Sequence, residues 1–529
     1  MKHQTIKPRR GYLYGILLAF LALGLWSCSS SDTEAGEEPF DASKDVAVTE
    51  FFPKSGGVYQ RMVIYGENFG NDTSMVHVTI GGKKAILINV NPKTIYCFVP
   101  SGAFSGEIEV SVGNDSTGVK TGIAAEKFKY ERKMVLSTLM GRRSAFGDEG
   151  WRPSSVADGA IGFNRAIGFS RDGFMKFDPL YPKRMYVSYD GGDNPGIQLI
   201  DFEKETVQVV MTNTWGTSRV RSIDFTNDGK YMIVAVDNDS QGDRTPSVFI
   251  IQRNYDGSFS NSSKRTMLAA YKQCNGASVH PVNGELYFNS YENGQVFRLD
   301  IDNFFKMQED AKNFDPSSGE EPQQWTGYRD DGAFEELFRI QDPQYEFQID
   351  IHPSGKYAYL VVINRSYILR TDYDEANHTF MTPYIVAGKN YDHGSLSLQD
   401  KWRDGVGTDA NLARPYQGCF VKNPEYVAAG KDDVYDFYFC DNQNHCVRYL
   451  TPDGVVRTYC GRGASSILDN NFWGTEDGDL REVARFRDPT GIAYDESTNS
   501  FYILDTVGNK IRKISMEAEE TEAVDTETN

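Results

Sequence analysis

Positive charge is in short supply in this sequence. The 529 residues include 55 Lys and Arg against 74 Asp and Glu, which gives a formal net charge of −19. A surface this acidic repels phosphate backbones and anionic lipids, so nucleic-acid binding is disfavoured. The remaining composition is that of a folded protein, with 40% hydrophobic and 24% charged residues, which excludes wholesale disorder.

Hydrophobic runs long enough to span a bilayer are also missing. The longest apolar run, residues 11–26, has about 16 residues, whereas a membrane-spanning helix needs about 20. The run follows a basic segment at residues 2–10, and this order is typical of a secretory signal peptide. We therefore expect residues 1–27 to be a signal peptide and the rest of the chain to contain no membrane span.

The end of this segment, Leu25-Trp26-Ser27-Cys28, resembles the lipobox of bacterial lipoproteins. The resemblance implies lipidation at Cys28, because the corresponding cysteine carries the acyl chains. The alternative is an ordinary secretory peptide followed by an incidental cysteine. Residues 28–45 are small, polar and acidic, which predicts a flexible tether, and residues 517–529 are expected to be a disordered acidic tail.

The acidic stretch after Cys28 also resembles the export signal of surface lipoproteins in Bacteroidetes. This implies a lipid-anchored protein of the outer membrane that faces the cell exterior. A plain spacer would instead leave the protein facing the periplasm.

Cysteine is scarce, and no CxxC pair is present. A zinc site built from thiolates is therefore not expected, and we predict no metal and no cofactor. Cys440 and Cys446 flank a polar turn between two strand patterns, so a disulfide across that hairpin is one option that export would permit.

Residues 46–131 alternate short strands with glycine turns, a pattern that predicts an immunoglobulin-like β-sandwich. The segments P-x-S-G-G from Pro53, Y-G-x-N-F-G from Tyr65 and V-T-I-G-G from Val78 are similar to the IPT/TIG family. No acid/base pair or metal cluster stands out in this domain. We interpret it as a spacer module.

Residues 132–516 contain strand–turn–strand units that repeat six times, which predicts a β-propeller with six blades. The first unit pairs residues 167–170 with Met185–Tyr189, and residues 324–328 are predicted as an outer strand of the third. Residues 134–139 supply the missing outer strand of the last blade. Pairing them with residues 510–514 closes the ring and hides both sheet edges.

The last two units resemble NHL repeats. The resemblance rests on Asp404-Gly405, Ala413, Asp441 and Val447-Arg448, and it recurs at Asp477-Gly478, Ala484, Asp505 and Lys510-Ile511-Arg512. It implies an all-β protein in which an IPT/TIG sandwich is followed by a six-bladed NHL-type β-propeller.

Four tryptophans fall on the long connections that lead into the first strand of a blade. They are Trp151, Trp215, Trp402 and Trp473, whereas Trp325 is predicted to lie in the core. The turns on the same face begin at Asp190, Asp237, Asp441 and Asp505. Indoles pack on the apolar faces of sugars and carboxylates accept bonds from hydroxyls, so these eight residues are the predicted ligand-binding set for a neutral or basic glycan. The alternative is that each tryptophan only pins its loop to a blade.

Catalysis finds less support in the sequence. His280 and His352 occupy the same repeat position before a proline and are interpreted as turn caps, and His393 with His445 makes a poor metal set. No pair of carboxylates is singled out by its spacing. A propeller lyase or glycoside hydrolase that uses the same face, and a protein–protein scaffold in the envelope, remain alternatives.

The sequence as a whole is similar to the IPT–NHL lipoproteins of Bacteroidetes. That resemblance implies a non-catalytic surface protein of a polysaccharide-utilisation system that captures glycan. Its expected partners are the glycan, a TonB-dependent transporter of the outer membrane and the lid lipoprotein of that transporter. Contact with the membrane is expected only through the lipid anchor.

Overall fold

The structure is a computed structural model, and strands dominate it. It divides into two compact units, Met1–Glu131 and Arg132–Asn529. The residues that it describes are 38–141, 159–166, 169, 172–189, 196–212, 219–238, 244–319, 321–340, 345–389, 401–463 and 472–518. The predicted signal peptide, Cys28, most of the predicted tether and most of the acidic tail lie outside these residues. Within them, every helix is too short or too polar to cross a bilayer.

The first unit is built from two antiparallel sheets and a short parallel pair in its described residues 38–131. One sheet has the order β1-β3-β7-β6 and the other β5-β4-β8-β9, while β10 pairs with β2. The strands are β1 (Ala47–Phe52), β2 (Ser55–Gly56), β3 (Arg61–Glu67), β4 (Val76–Ile80), β5 (Lys83–Lys84), β6 (Ile86–Asn91), β7 (Thr94–Phe98), β8 (Ile108–Asn114), β9 (Gly118–Ile123) and β10 (Lys129–Tyr130).

Alternation of side chains along these strands builds the core of the first unit. Met62 and Ile64 of β3 are buried, as are Ile108, Val110 and Val112 of β8, while most residues between them face outward. Successive residues of a strand point to opposite faces, so each sheet offers one apolar face to the other. The buried residues of both sheets form one cluster.

The second unit consists, in its described part, of antiparallel sheets and two helices. The helices are α1 (Ile301–Lys312) and α2 (Pro424–Ala428). The strands are β11 (Met134–Met140), β12 (Ile161–Gly162), β13 (Gly173–Phe177), β14 (Arg184–Tyr189), β15 (Ile197–Asp201), β16 (Thr206–Met211), β17 (Val220–Phe225), β18 (Tyr231–Val236), β19 (Pro246–Gln252), β20 (Arg265–Ala270), β21 (Ala277–Val279), β22 (Leu286–Ser290), β23 (Gln295–Leu299), β24 (Glu335–Arg339), β25 (Phe347–Ile351), β26 (Tyr357–Val362), β27 (Tyr367–Asp374), β28 (Thr379–Phe380), β29 (Tyr384–Gly388), β30 (Gly405–Val406), β31 (Pro415–Lys422), β32 (Tyr435–Asp441), β33 (Cys446–Leu450), β34 (Val455–Cys460), β35 (Gly478–Asp479), β36 (Pro489–Asp495), β37 (Ser500–Asp505) and β38 (Lys510–Met516).

These strands form six sheets within the described residues, which we number in chain order. Sheet I runs β12-β16-β15-β14-β13, sheet II β17-β18-β19-β20 and sheet III β21-β22-β23-β24. Sheet IV runs β25-β26-β27 with β28 and β29 both paired to β27, sheet V β30-β34-β33-β32-β31 and sheet VI β35-β11-β38-β37-β36. We call β13, β17, β21, β25, β31 and β36 the first strands. Each contacts the first strand of the next sheet, and β36 contacts β13, so they follow one another in a cycle.

Sheet VI joins the beginning of the second unit to its end. β11 pairs antiparallel with β38, from Met134 opposite Met516 to Met140 opposite Ile511. The pairing predicted between residues 134–139 and 510–514 is confirmed. It satisfies the backbone donors and acceptors of both strands, which would otherwise form exposed sheet edges.

Two strand predictions were wrong. The first strand of sheet I is β13, which begins at the predicted turn residue Gly173, and the true turn follows at Asp178, whose Oδ1 accepts from the backbone N–H of Leu180. Residues 324–328 are not a strand; β24 takes that place, after α1. α1 forms because Asp300 caps it and its buried residues recur at helical spacing. Trp325 still packs on the core, with its ring 5.4 Å from that of Phe304.

The suggested disulfide between Cys440 and Cys446 was wrong as well, because both are free thiols. The register explains this result. Cys440 lies opposite Val447, whereas Cys446 lies opposite Asp441. The two cysteines are offset by one residue and their side chains point to opposite faces of the sheet, so they cannot meet.

Candidate functional site

The connections into the first strands and the turns between second and third strands lie at the same end of the sheets. We call this the mouth end and the opposite end the turn end. Of the eight predicted ligand-binding residues, Trp151, Trp215 and Asp190 lie outside the described residues. The other five, Trp402, Trp473, Asp237, Asp441 and Asp505, belong to segments of the mouth end.

The two described tryptophans differ in exposure. Trp402 is half-buried, and its indole N–H donates to Thr458 Oγ1 at 3.0 Å. Its ring packs directly on Gly463; a Cβ atom at position 463 would lie only 2.2 Å from Trp402 Nε1. Trp473 is 43% exposed, and the guanidinium of Arg487 lies 4.7 Å from its ring centroid. Trp402 therefore fastens its loop, whereas Trp473 offers an indole to the surface.

The predicted aspartates are held inside the protein by arginines. Asp441 and Asp505 have no exposed surface; they pair with Arg448 at 2.8 Å and with Arg512 at 3.0 Å. Burial nevertheless raises the pKa of Asp505 to about 6 and that of Asp441 in the same direction. A carboxylate so enclosed is not accessible to a ligand in this structure.

The NHL-like motif residues build two copies of one network. Arg448 bonds to Asp404 at 2.9 Å and Asp441 at 2.8 Å, and Thr458 donates its hydroxyl to Asp404. In sheet VI, Arg512 bonds to Asp477 at 2.7 Å and to Asp505, and Thr138 takes the place of Thr458. Each network ties the connection before a first strand to the second, third and fourth strands of its sheet. The motif is thus explained by packing within each sheet.

A second group of charged residues, which the sequence analysis missed, lies where first strands begin. Arg221 bonds to Glu346 and, at 3.2 Å, to Asp237 Oδ2, which is also 3.2 Å from Arg219. Arg221 contacts Glu346 Oε1, and Arg414 Nη2 lies 3.6 Å from Glu346 Oε2. These contacts join residues of sheets II, IV and V.

The group continues towards sheet I. Arg414 donates to the Tyr416 hydroxyl at 2.9 Å, and that hydroxyl donates to Asp172 Oδ2 at 3.0 Å. Burial, with Glu346 and Asp172 nearby, raises the pKa of Tyr416 well above its usual value. We call Asp172, Arg219, Arg221, Asp237, Glu346, Arg414 and Tyr416 the mouth cluster. Charged residues at the starts of four first strands, those of sheets I, II, IV and V, are the signal that would have revealed it.

The mouth cluster is electrically balanced, with three arginines against three carboxylates. Arg414 Nε and the Oδ1 of the buried Asn275, which lies beside Asp237, have no hydrogen-bond partner among the described residues. One is a donor and the other an acceptor. The arrangement therefore suits a polar ligand that both donates and accepts hydrogen bonds better than it suits a simple anion.

Three of the described histidines accept hydrogen bonds from the backbone. His280 Nδ1 accepts from the N–H of Val282 and of Asn283 at 3.2 Å, and His352 Nδ1 accepts from the N–H of Ser354 at 3.1 Å. Both cap turns, as the sequence predicted. His445 Nδ1 accepts from the N–H of Asp488 at 3.1 Å. Within the described ranges, no three His, Cys, Asp or Glu side chains are grouped so that they could hold a metal ion.

Residues 47–130 match the IPT/TIG domain. With the sheets described above, this match defines an all-β protein that carries an IPT/TIG domain in its first unit. No curated protein matches the chain.

Solved structures of Bacteroides proteins resemble the chain along most of its length. A Bacteroides thetaiotaomicron protein described as a candidate phosphatase is 49% identical, covers 91% of this chain and 99% of its own, and has a TM-score of 0.74. An auxiliary nutrient binding protein from the same species is 39% identical and has a TM-score of 0.72. The match covers 91% of this chain and 100% of that protein. An auxiliary nutrient binding protein from Bacteroides ovatus is 32% identical and has a TM-score of 0.59. The match covers 91% of this chain and 100% of that protein. The chain belongs to the family of these Bacteroides proteins.

Proposed function

We propose that this protein binds a nutrient, specifically a glycan, at the mouth end of its second unit and does not transform it. The observation that carries the proposal is the mouth cluster, in which first strands of four sheets bring arginines, carboxylates and a tyrosine to one place. Membership of a family in which two relatives are described as auxiliary nutrient binding proteins supports it.

The proposal includes the architecture that gathers these residues. The six sheets are the blades of a six-bladed NHL-type β-propeller, and their first strands surround a central channel. The cyclic contacts of the first strands and the pairing of β11 with β38 support this arrangement.

Glycan recognition follows from the chemistry at the mouth end. Sugar hydroxyls both donate and accept hydrogen bonds, which matches the alternation of arginine and carboxylate in the mouth cluster. Trp473 supplies an exposed aromatic surface in the connection to sheet VI, and the apolar face of a pyranose packs on such a ring. Trp402 supports this connection through its contact with Gly463.

A non-catalytic role agrees with the pairing of the acidic groups. Glu346 and Asp237 each contact an arginine, and Asp172 accepts from Tyr416. General acid catalysis needs a carboxyl group that is free to exchange a proton with the substrate, and these carboxyl groups are engaged by arginines and by a tyrosine hydroxyl. We infer that the cluster orients a ligand.

One relative described as a candidate phosphatase makes phosphate-ester hydrolysis the second candidate function. The arginines of the mouth cluster favour it, because guanidinium groups bind phosphate. Hydrolysis of p-nitrophenyl phosphate that disappears in Arg414→Gln would favour the phosphatase over the binding protein.

The cellular setting remains part of the proposal. Lipidation at Cys28 would anchor the protein to the outer membrane with the second unit facing outward, beside a TonB-dependent transporter and its lid lipoprotein. Labelling with radioactive palmitate, lost in Cys28→Ala, tests the anchor. Protease treatment of intact cells tests the exposure.

The deciding experiment measures binding to a panel of neutral, basic and acidic polysaccharides by affinity electrophoresis. We expect at least one glycan to retard the wild type, and Trp473→Ala and Arg414→Gln to weaken the retardation. The matched control is Tyr255→Ala, which removes an exposed aromatic ring from the turn end. Equal retardation of all variants would remove the mouth end from the site, and no retardation by any glycan would contradict the proposed function.

A further inference from the structure

A ring of polar side chains lies at one level among the first strands, nearer to the turn end than the mouth cluster. Five sheets contribute one residue each. They are Lys176 of β13, Asp224 of β17, Ser278 of β21, Asp350 of β25 and Cys419 of β31. All but Asp224 line a cavity of about 280 Å³.

Asp224 is fully engaged in this ring. Its Oδ1 lies 2.9 Å from Lys176 Nζ, and its Oδ2 accepts from the N–H of Val279 at 2.9 Å and from the Ser278 hydroxyl at 3.3 Å. Asp350 differs, because its Oδ2 is enclosed and has no hydrogen-bond partner among the described residues, whereas the residue itself is partly exposed and lines the cavity. An enclosed acceptor without a donor is costly, so the carboxyl group gains when its side chain turns toward a donor in the cavity.

The cavity is separated from the mouth cluster by Gln417. Its side-chain oxygen accepts from the N–H of Met175 at 2.8 Å and of Ile492 at 3.1 Å, and its amide N–H donates to Met175 O at 2.7 Å. This amide follows Tyr416 of the mouth cluster and precedes Cys419 of the cavity. Aromatic residues line the cavity on its turn-end side: Phe177, Phe420 and Tyr494.

We propose that this cavity binds one small, uncharged, polyhydroxylated molecule of monosaccharide size. The charges of Lys176 and Asp224 compensate each other, so the remaining groups are hydrogen-bonding groups rather than a net field. The Lys176 ammonium opposes a metal cation, and the carboxyls of Asp224 and Asp350 oppose an anion. Asp350 accepts from a ligand hydroxyl, Lys176 donates through the ammonium N–H groups that do not face Asp224, the Ser278 oxygen accepts, and the aromatic rings cover the apolar face.

The state of Asp350 is consistent with this assignment. Burial raises its pKa to about 7, Asp224 acts in the same direction, and Lys176 opposes the shift. The charged and titratable groups around it are therefore Lys176 of β13, Asp224 of β17 and Cys419 of β31. Near neutral pH, Asp350 is present both as a carboxylate, which accepts hydrogen bonds, and as a carboxylic acid, whose O–H donates one, and this suits a ligand rich in hydroxyl groups.

The test is saturation-transfer difference NMR on the whole protein. The probes are D-glucose, D-galactose, D-mannose and D-xylose. We expect at least one sugar to bind the wild type and to lose affinity at least about tenfold in Asp350→Leu. Ser278→Ala is the second variant, in case Asp350→Leu does not fold, and should weaken the same sugar. Tyr255→Ala, at the turn end, is the control and should leave monosaccharide binding unchanged. Arg414→Gln, in the mouth cluster, is the comparison that tells binding at the mouth from binding in the cavity.

The outcomes separate this site from the proposed glycan site. Monosaccharide binding lost in Ser278→Ala but kept in Arg414→Gln supports the cavity, whatever the polysaccharide panel shows. Binding that is lost only in Arg414→Gln assigns the sugar to the mouth and overturns the inference. Absence of binding for all four sugars at millimolar concentration also overturns it.

Discussion

Arg448 in β33 and Arg512 in β38 occupy the same position in neighbouring sheets, and each is fully buried between two carboxylates. Removing one partner of a buried ion pair leaves a charge without compensation, which costs far more than the net gain from the pair. Substituting one of these two arginines therefore tests how much its ion-pair network stabilises sheet V or sheet VI.

We expect Arg448→Met to lower the free energy of unfolding by about 3–5 kcal/mol, because Asp441 would remain buried without its cation. Urea denaturation followed by tryptophan fluorescence measures the change. The matched control is Arg457→Met in β34 of the same sheet, where the side chain is exposed and the effect should stay within about 0.5 kcal/mol. Similar values for both variants would contradict the structural role of the network.

The pairing of β11 with β38 predicts that residues near the start of the second unit stabilise its end. Leu136 is buried in β11 beside Ile514, so Leu136→Ala should cost about 2–5 kcal/mol. It should also speed hydrogen exchange in β38, measured by mass spectrometry. Ser137→Ala, on the alternate face, is the control; if it exposed β38 equally, the pairing would be in doubt.

The raised pKa of Asp350 predicts a pH-dependent stability. A carboxyl with a folded pKa of about 7 against an unfolded value near 3.8 destabilises the fold progressively as pH rises from about 4 to 7. Asp350→Asn removes this penalty, so it should stabilise the protein by up to about 4 kcal/mol at pH 8 and by little at pH 4. Thermal unfolding across this range measures the difference, and a difference that does not grow with pH would refute the assignment.

The two described tryptophans predict different phenotypes. Trp402→Ala removes a half-buried ring and a hydrogen bond to Thr458, so it should destabilise the protein by about 2–4 kcal/mol. Trp473→Ala removes an exposed ring and should change stability by about 1 kcal/mol or less while weakening glycan binding. Calorimetry beside the binding assay separates the two effects, and a large loss of stability in Trp473→Ala would contradict its surface role.

The free thiols predict that reducing agents leave stability unchanged. Burial raises the pKa of Cys274 and Cys460 to about 12 and that of Cys440 and Cys446 well above the usual value. Buried thiols of this kind are poor nucleophiles. We expect dithionitrobenzoate to leave these four cysteines unmodified in the native protein, and a change in melting temperature on adding dithiothreitol would show a disulfide that the structure lacks.

The sequence revealed the strand-rich character of both units because that information is local. Alternation along β3 and β8 and the glycine turns of the first unit predict a sandwich, and the pairing of residues 134–139 with 510–514 follows from counting outer strands. The errors came where local signals conflict. Residues 324–328 carry aromatic residues typical of a strand, yet the helical stripe of α1 and its Asp300 cap displaced the fourth strand to β24.

For the candidate site as well, some features can be predicted from the sequence and others depend on the tertiary structure. The positions of Asp441 and Asp505 at the ends of second strands can be predicted from the repeat, and so can the exposure of a loop that carries Trp473. The sequence does not show that Arg448 and Arg512 enclose those carboxylates, because the partners are decided by packing between strands.

By itself, then, the sequence determined the strand pattern, the repeat and the residues that an NHL-like unit requires, since these depend on spacing along the chain. Tertiary structure alone decided which charges meet. Arg221 and Glu346 are 125 positions apart. Other members of the mouth cluster and the cavity ring are also distant in sequence, and they come together because the first strands follow one another in a cycle.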